Sequence, residues 1–173
     1  MAPASETQPE ITIRPFREDD WPYLWPILRD TIRAGETYAI ERQTTEAGAR
    51  DLWVDTPRGT YVAEIDGRVL GTYYIRVNKK GGGAHVCNAG YIVSPKAQGR
   101  GIARAMCAHS LGEARSMGYK AMQFNLVVST NTRAIAVWED LGFDVVGRLP
   151  RAFEHPTLGL VDALVMYQWL ADD

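Results

Sequence analysis

Apolar and polar residues alternate through Ile11-Thr12-Ile13-Arg14-Pro15-Phe16, the period of a half-buried strand. The spacing then lengthens. Trp21, Leu24, Trp25, Leu28 and Ile32 fall on one helical face, with Asp19 or Asp20 placed to cap it. Pro22 suits the first turn, whereas Pro26 predicts a kink or break. A loop over residues 34–38 and a weaker helix over 45–53 follow. Residues 61–65 and 69–77 read as strands joined by Asp66-Gly67, a pair suited to a type I′ turn. Beyond a flexible tip at 79–83, residues 85–93 form a third long strand of this group. Ile102, Met106, Ser110, Leu111, Ala114 and Met117 mark a helix ending near Gly118. A strand over 121–128, a helix over 132–141 stopped by Gly142, and strands over 145–147 and 161–169 complete the chain. This order predicts one α/β unit with a mixed sheet.

At 173 residues the chain is long enough to bury about two thirds of its unfolded surface as one domain over residues 11–173. Residues 1–10, small, polar and proline-containing, lack the pattern of a signal peptide and read as a disordered tail. The composition, 46% hydrophobic and 23% charged with a net charge of −2, gives no support for a nucleic-acid or membrane partner. Cys87 and Cys107 lie in apolar contexts without metal-ligand spacing, which predicts reduced core thiols, a cytoplasmic protein and no bound metal.

Candidate chemistry concentrates in Pro95-Lys96-Ala97-Gln98-Gly99-Arg100-Gly101-Ile102-Ala103-Arg104, between the β-branched run at 90–93 and the long helix. A strand, a glycine turn and a helix start make an anion site. Glycine lets the backbone approach a ligand, the first helical N–H groups lack internal partners, and the helix dipole adds positive charge. A phosphate or pyrophosphate is the natural guest.

Two motifs then resemble the GCN5-related N-acetyltransferase (GNAT) family. Gln98, Gly101 and Ala103 match its pyrophosphate signature, and Asn131, Ala134, Gly142 and Phe143 match its second motif. The resemblance spans roughly residues 11–170 and implies a mixed, mostly antiparallel twisted sheet, splayed between strands 4 and 5 and flanked by helices. It also implies acetyl-CoA as cosubstrate. Backbone groups of Ile92 and Val93 would pair with pantetheine, the amides from Gln98 through Gly99, Arg100, Gly101 and Ile102 to Ala103 would hold the pyrophosphate, and Arg100 or Arg104 would add charge. A closer resemblance, at residues 88–93, 124–131, 147–152 and 161–163, is to the azetidine-2-carboxylate and proline N-acetyltransferases. It implies a small-molecule amine substrate, an amino acid or toxic analogue, acetylated by direct transfer in a ternary complex. Asn125 and the Leu126 backbone would hold the acceptor, Asn131 would contact CoA, and Asn88 would lie near the reacting amine, with an oxyanion site on a bulged fourth strand. Glu36 and Tyr38, in the loop after the first helix, would line the amine site.

The family's usual tyrosine is replaced by Trp138, an indole that donates a hydrogen bond but is no acid. The CoA thiolate, with a pKa of about 8.5, then leaves unprotonated or takes its proton from water, or the protein binds acyl-CoA without fast turnover. Base candidates are Glu36, His85, Glu154, His155 or a water chain. A covalent role for Cys87 is disfavoured, because on a regular strand it faces away from Asn88. The other functional readings are a protein or peptide N-acetyltransferase and an acyl-CoA sensor. A homodimer is expected from the family, with the apolar stretch Leu164-Val165-Met166-Tyr167 as the candidate interface.

Overall fold

The computed structural model describes residues 9–172, so the tail expected over 1–10 lies outside the described residues except for Pro9 and Glu10, which are exposed and belong to no element. Seven strands, β1 (Ile11–Pro15), β2 (Gly59–Ile65), β3 (Arg68–Val77), β4 (Val86–Val93), β5 (Ala121–Val128), β6 (Asp144–His155) and β7 (Gly159–Trp169), form one sheet in the order β1-β2-β3-β4-β5-β7-β6. Four α-helices, α1 (Trp21–Ala34), α2 (Glu46–Arg50), α3 (Ile102–Ser116) and α4 (Thr132–Asp140), connect them. Every pairing is antiparallel except β4 with β5, as the resemblance implied.

The local rules hold at most joints. Asp66 and Gly67 take φ of 50° and 73°, the type I′ geometry that closes β2 onto β3. Thr45 caps α2 by accepting from the Gly48 N–H at 3.1 Å. The sheet has two cores. On one face α3 and α4 cover Tyr73, Ile75, Cys87, Met122 and Met166; on the other, α1 and the segment after α2 cover Val62, Tyr74 and Ile92.

Three expectations are corrected. α1 is not broken at Pro26. It continues to Ala34, because Leu24, Ile27, Leu28 and Ile32 bury a continuous stripe that outweighs one lost hydrogen bond. Asp20 precedes α1, but its side chain does not cap it; the carboxylate instead accepts from the Arg17 N–H at 2.7 Å and from Arg14 at 2.8 Å, which holds it below the usual carboxylate range. The stretch Leu164-Val165-Met166-Tyr167 is not a continuous surface patch, since only Val165 and Tyr167 are partly exposed. β7 lies between β5 and β6, and Leu164 and Met166 are buried. Exposed apolar side chains sit instead on the β6–β7 hairpin, among them Val146, Leu158 and Leu160.

Candidate active site

β4 and β5 share only two register pairs, Val86 with Ala121 and Cys87 with Met122, before they part. Beyond that point the Asn88 carboxamide donates to the Gln123 carbonyl at 3.0 Å, so a side chain takes the place of the ladder. The β5–β7 register shifts between Phe124 and Val127, which bends β5 away. A cavity of about 1030 Å³ opens between the strands.

The β3–β4 register decides which backbone groups face that cavity. Asn78 N–H donates to the Val86 carbonyl at 2.9 Å and Ser94 N–H to the Leu70 carbonyl at 2.7 Å, with no register shift between them. Antiparallel pairs alternate, so Asn88, Gly90 and Ile92 give their N–H and C=O groups to β3. Ala89, Tyr91 and Val93 point theirs across the gap. Contrary to expectation, then, Ile92 lines the cavity but turns its backbone groups away, while Val93 offers its own. The bulge expected in β4 is likewise absent from its pairing with β3. Tyr91's outward groups are occupied: the Tyr38 hydroxyl donates to the Tyr91 carbonyl at 2.6 Å and accepts from its N–H at 2.7 Å. Burial, with Tyr74 alongside, raises the Tyr38 pKa, so this phenol stays protonated.

At one end of the cavity lies the glycine turn. Gly99 and Gly101 take φ of 78° and 79°, and a Cβ on either would meet nothing within 4 Å. Their role is therefore backbone conformation, not space inside the protein. The first bond of the α3 ladder runs from Ala105 N–H to the Gly101 carbonyl at 3.0 Å, which leaves the amides of Ile102, Ala103 and Arg104 outside it. Gln98, Gly99, Gly101, Ile102 and Ala103 line the cavity; Arg100 does not. Arg104 lines it but pairs with Asp140 at 2.8 Å. Asn131 sits at the start of α4 without capping it, and its carboxamide has no hydrogen bond among the described residues. Trp138, 6% exposed, packs with its ring centroid 4.9 Å from Tyr91 and 5.5 Å from Phe124, also at the cavity wall.

The other end gathers Tyr38, Arg76, Asn88, Asn125 and Leu126. Asn125 is exposed and donates to the Asn78 side chain at 2.7 Å while accepting from Gln123 at 2.9 Å. Asn88 is buried and satisfied, accepting from Arg76 at 3.3 Å and from Tyr74 at 3.4 Å. Glu36 does not line the cavity: α1 ends at Gly35 in a left-handed turn (φ 66°), and Glu36 follows it exposed to solvent. His85 is also exposed and outside. Glu154 lines a separate space of about 280 Å³, and the His155 ring accepts N–H bonds within its own turn. The acidic residue that does line the main cavity is Glu41, itself exposed and left unmarked by the sequence pattern. Burial pushes the Cys87 thiol up to about 12, and it faces the α3 core, which removes a covalent acetyl carrier from consideration.

The splayed β4–β5 pair and the glycine turn leading into the next helix are the arrangement that the resemblance to the acetyltransferases implied. The chain matches the acetyltransferase (GNAT) family over residues 13–143 and belongs to it. It is 33% identical over 157 residues to N-acetyltransferase aca1 of Schizosaccharomyces pombe, covering 80% of this chain and 74% of that one. It is 35% identical over 138 residues to the mycothiol acetyltransferase of Thermomonospora curvata, of which the alignment covers 44%. Among solved structures, a GCN5-related N-acetyltransferase from Kribbella flavida superposes with a TM-score of 0.88 at 43% identity, covering 92% of this chain and 98% of that one. Acetyl-CoA is the family's cosubstrate, and the residues present fit it. The free amides at α3, the open β4 edge and the unpartnered Asn131 carboxamide are the donors and acceptors such a molecule requires.

Proposed function

We propose that this N-acetyltransferase acts on a small amine, an amino acid or a toxic amino-acid analogue, by direct transfer in a ternary complex. The observation that carries the reading is the loop that walls the cavity's acceptor end. Tyr38, Ala39 and Ile40 wall both the main cavity and the smaller one, whose far side is Ala152, Phe153 and Glu154. The loop after α1 thus lies between the cleft and the β6–β7 hairpin, which suits a pocket better than the open groove a protein substrate needs. The resemblance of residues 88–93 and 124–131 to the azetidine-2-carboxylate and proline branch supports the same substrate class.

When bound, acetyl-CoA supplies an acetyl thioester activated toward an amine. The Ile102, Ala103 and Arg104 amides would hold the pyrophosphate, Asn131 would contact CoA, and the Val93 backbone would pair with pantetheine. N–H groups on the open β4 edge face the developing oxyanion. Glu41 takes the proton from the acceptor ammonium, since it is the acidic residue lining the cavity and its carboxylate makes no hydrogen bond among the described residues. Asn125 and Leu126 hold the acceptor's carboxyl or carbonyl group. The Trp138 indole is no acid, so this side chain would not protonate the departing thiolate.

An acetyl-CoA-dependent thiol-release screen over amines, amino acids including proline and azetidine-2-carboxylate, and peptides tests this. Turnover is expected with small amino acids and not with peptides. Release with peptides alone, or with no small amine, overturns the reading.

A further inference from the structure

Four arginines in the described chain are half-buried: Arg14, Arg33, Arg50 and Arg76. The first three are all paired: Arg14 through both terminal nitrogens with Asp20 and through one with Glu64, Arg33 through both with the carbonyls of Arg42 and Thr44, and Arg50 through one terminal nitrogen with Glu18 and through Nε with Asp55. Arg76 differs. Its Nε donates to Asn88 Oδ1 at 3.3 Å and its guanidinium carbon lies 4.9 Å from the Tyr74 ring centroid, but neither terminal nitrogen has a hydrogen bond or ion pair among the described residues. It lines the main cavity.

The guanidinium is held from behind. Asn88 grips its inner edge and is itself fixed to the Gln123 carbonyl, while Tyr74 supports its plane. The outer edge, a planar fork of N–H donors, has no partner among the described residues, on a side chain that lines the cavity. Around it stand amides, Asn88 opposite on β4 and Asn78 two residues along, bonded to Asn125. A partly desolvated cation without a counter-charge is costly, and a fork of this kind is completed by a planar carboxylate bound through two parallel hydrogen bonds. CoA's phosphates do not reach it. Arg76 pairs with Asn88, five residues before Val93 and so about 17 Å along the strand from the end that leads into the phosphate turn.

We propose that the acceptor carries a carboxylate beside its amine and that Arg76 is the residue that selects it. This rests on the small-amine reading above and narrows it to amino acids over simple amines. Asn88 is then a positioning residue, acting through Arg76.

The test compares proline, prolinamide and pyrrolidine as acceptors. The wild-type protein is expected to favour proline over the other two by about twentyfold in kcat/KM. Arg76→Met is expected to reduce that preference to within about threefold, chiefly through KM, with the CoA Kd in calorimetric titration within twofold of wild type. Arg76→Lys, which keeps the charge but loses the fork, falls between. A wild-type preference below threefold, or one that survives in Arg76→Met, overturns the proposal. Should none of the three be acetylated, the small-amine reading falters separately. Thermal shifts of the CoA complex with the same compounds still decide the carboxylate question. A proline shift larger than that of prolinamide, and lost in Arg76→Met, supports the proposal; equal shifts overturn it.

Discussion

At the turn between β4 and α3 the cleft is lined by main chain: left-handed glycines, the first amides of a helix and the open edge of a strand. Around Arg76 it is lined by side chains that hold other side chains, Tyr74 and Asn88 beneath the guanidinium and Asn78 beside Asn125. The first kind of site is fixed once the backbone is folded and recognises what every family member shares, a diphosphate and an amide-bearing arm. The second kind changes with single substitutions, since each member is held by one to three hydrogen bonds worth about 0.5–1.5 kcal/mol apiece. On the proposed function, recognition of the common cosubstrate and of the particular acceptor would thereby be separated along one cleft.

The sharpest way to break this division is at the backbone end. Gly101→Val should weaken CoA about thirtyfold, roughly 2 kcal/mol, because a β-branched residue at φ 79° strains the turn and moves the α3 amides. The acceptor KM should move little at saturating acetyl-CoA. Calorimetric CoA titration checks the first part. An affinity within twofold of wild type would show that the turn does not make the phosphate site.

The two ends also differ in how far the sequence betrays them. Gln98, Gly101 and Ala103 are consecutive enough to read as a motif, and Asn131, Gly142 and Phe143 repeat the signal on the expected helix. What fails is whatever depends on tertiary placement. Arg76 looks like the ordinary polar position of a strand in Tyr73-Tyr74-Ile75-Arg76-Val77; its lack of a counter-charge exists only once β4 and the α1 face surround it. Glu36 and Glu41 share one loop, and nothing local says that the second faces the cleft. Ile92 and Val93 are both apolar strand residues, and their backbone directions follow from the register with β3. Pro26 misleads for the converse reason, a local rule overruled by the stripe packed beneath it.

Between the two ends, Tyr38 ties a side chain to the backbone edge, so it tests whether the division is clean. Tyr38→Phe removes both bonds to Tyr91 and should lower the stability of the ligand-free protein by about 1–2 kcal/mol in urea unfolding. A change below 0.5 kcal/mol, within the ordinary scatter of surface substitutions, would mean the phenol does not hold that edge.

The smallest effect is expected at Trp138, which lies at the cosubstrate end yet departs from the family's usual tyrosine. If that end works through its backbone, restoring a phenol there should matter little. The leaving thiolate, with a pKa of about 8.5, needs no strong acid near neutral pH. The Trp138 ring meanwhile serves as packing against Tyr91 and Phe124. Trp138→Tyr should therefore keep kcat within about threefold, less than 0.7 kcal/mol in the barrier. Its kcat should also show no new pH dependence between 7 and 10, where a catalytic phenol would begin to titrate. A tenfold gain in kcat that disappears as the pH rises would instead make proton delivery to sulfur rate-limiting. It would then assign the cosubstrate end a side-chain acid that this chain has given up.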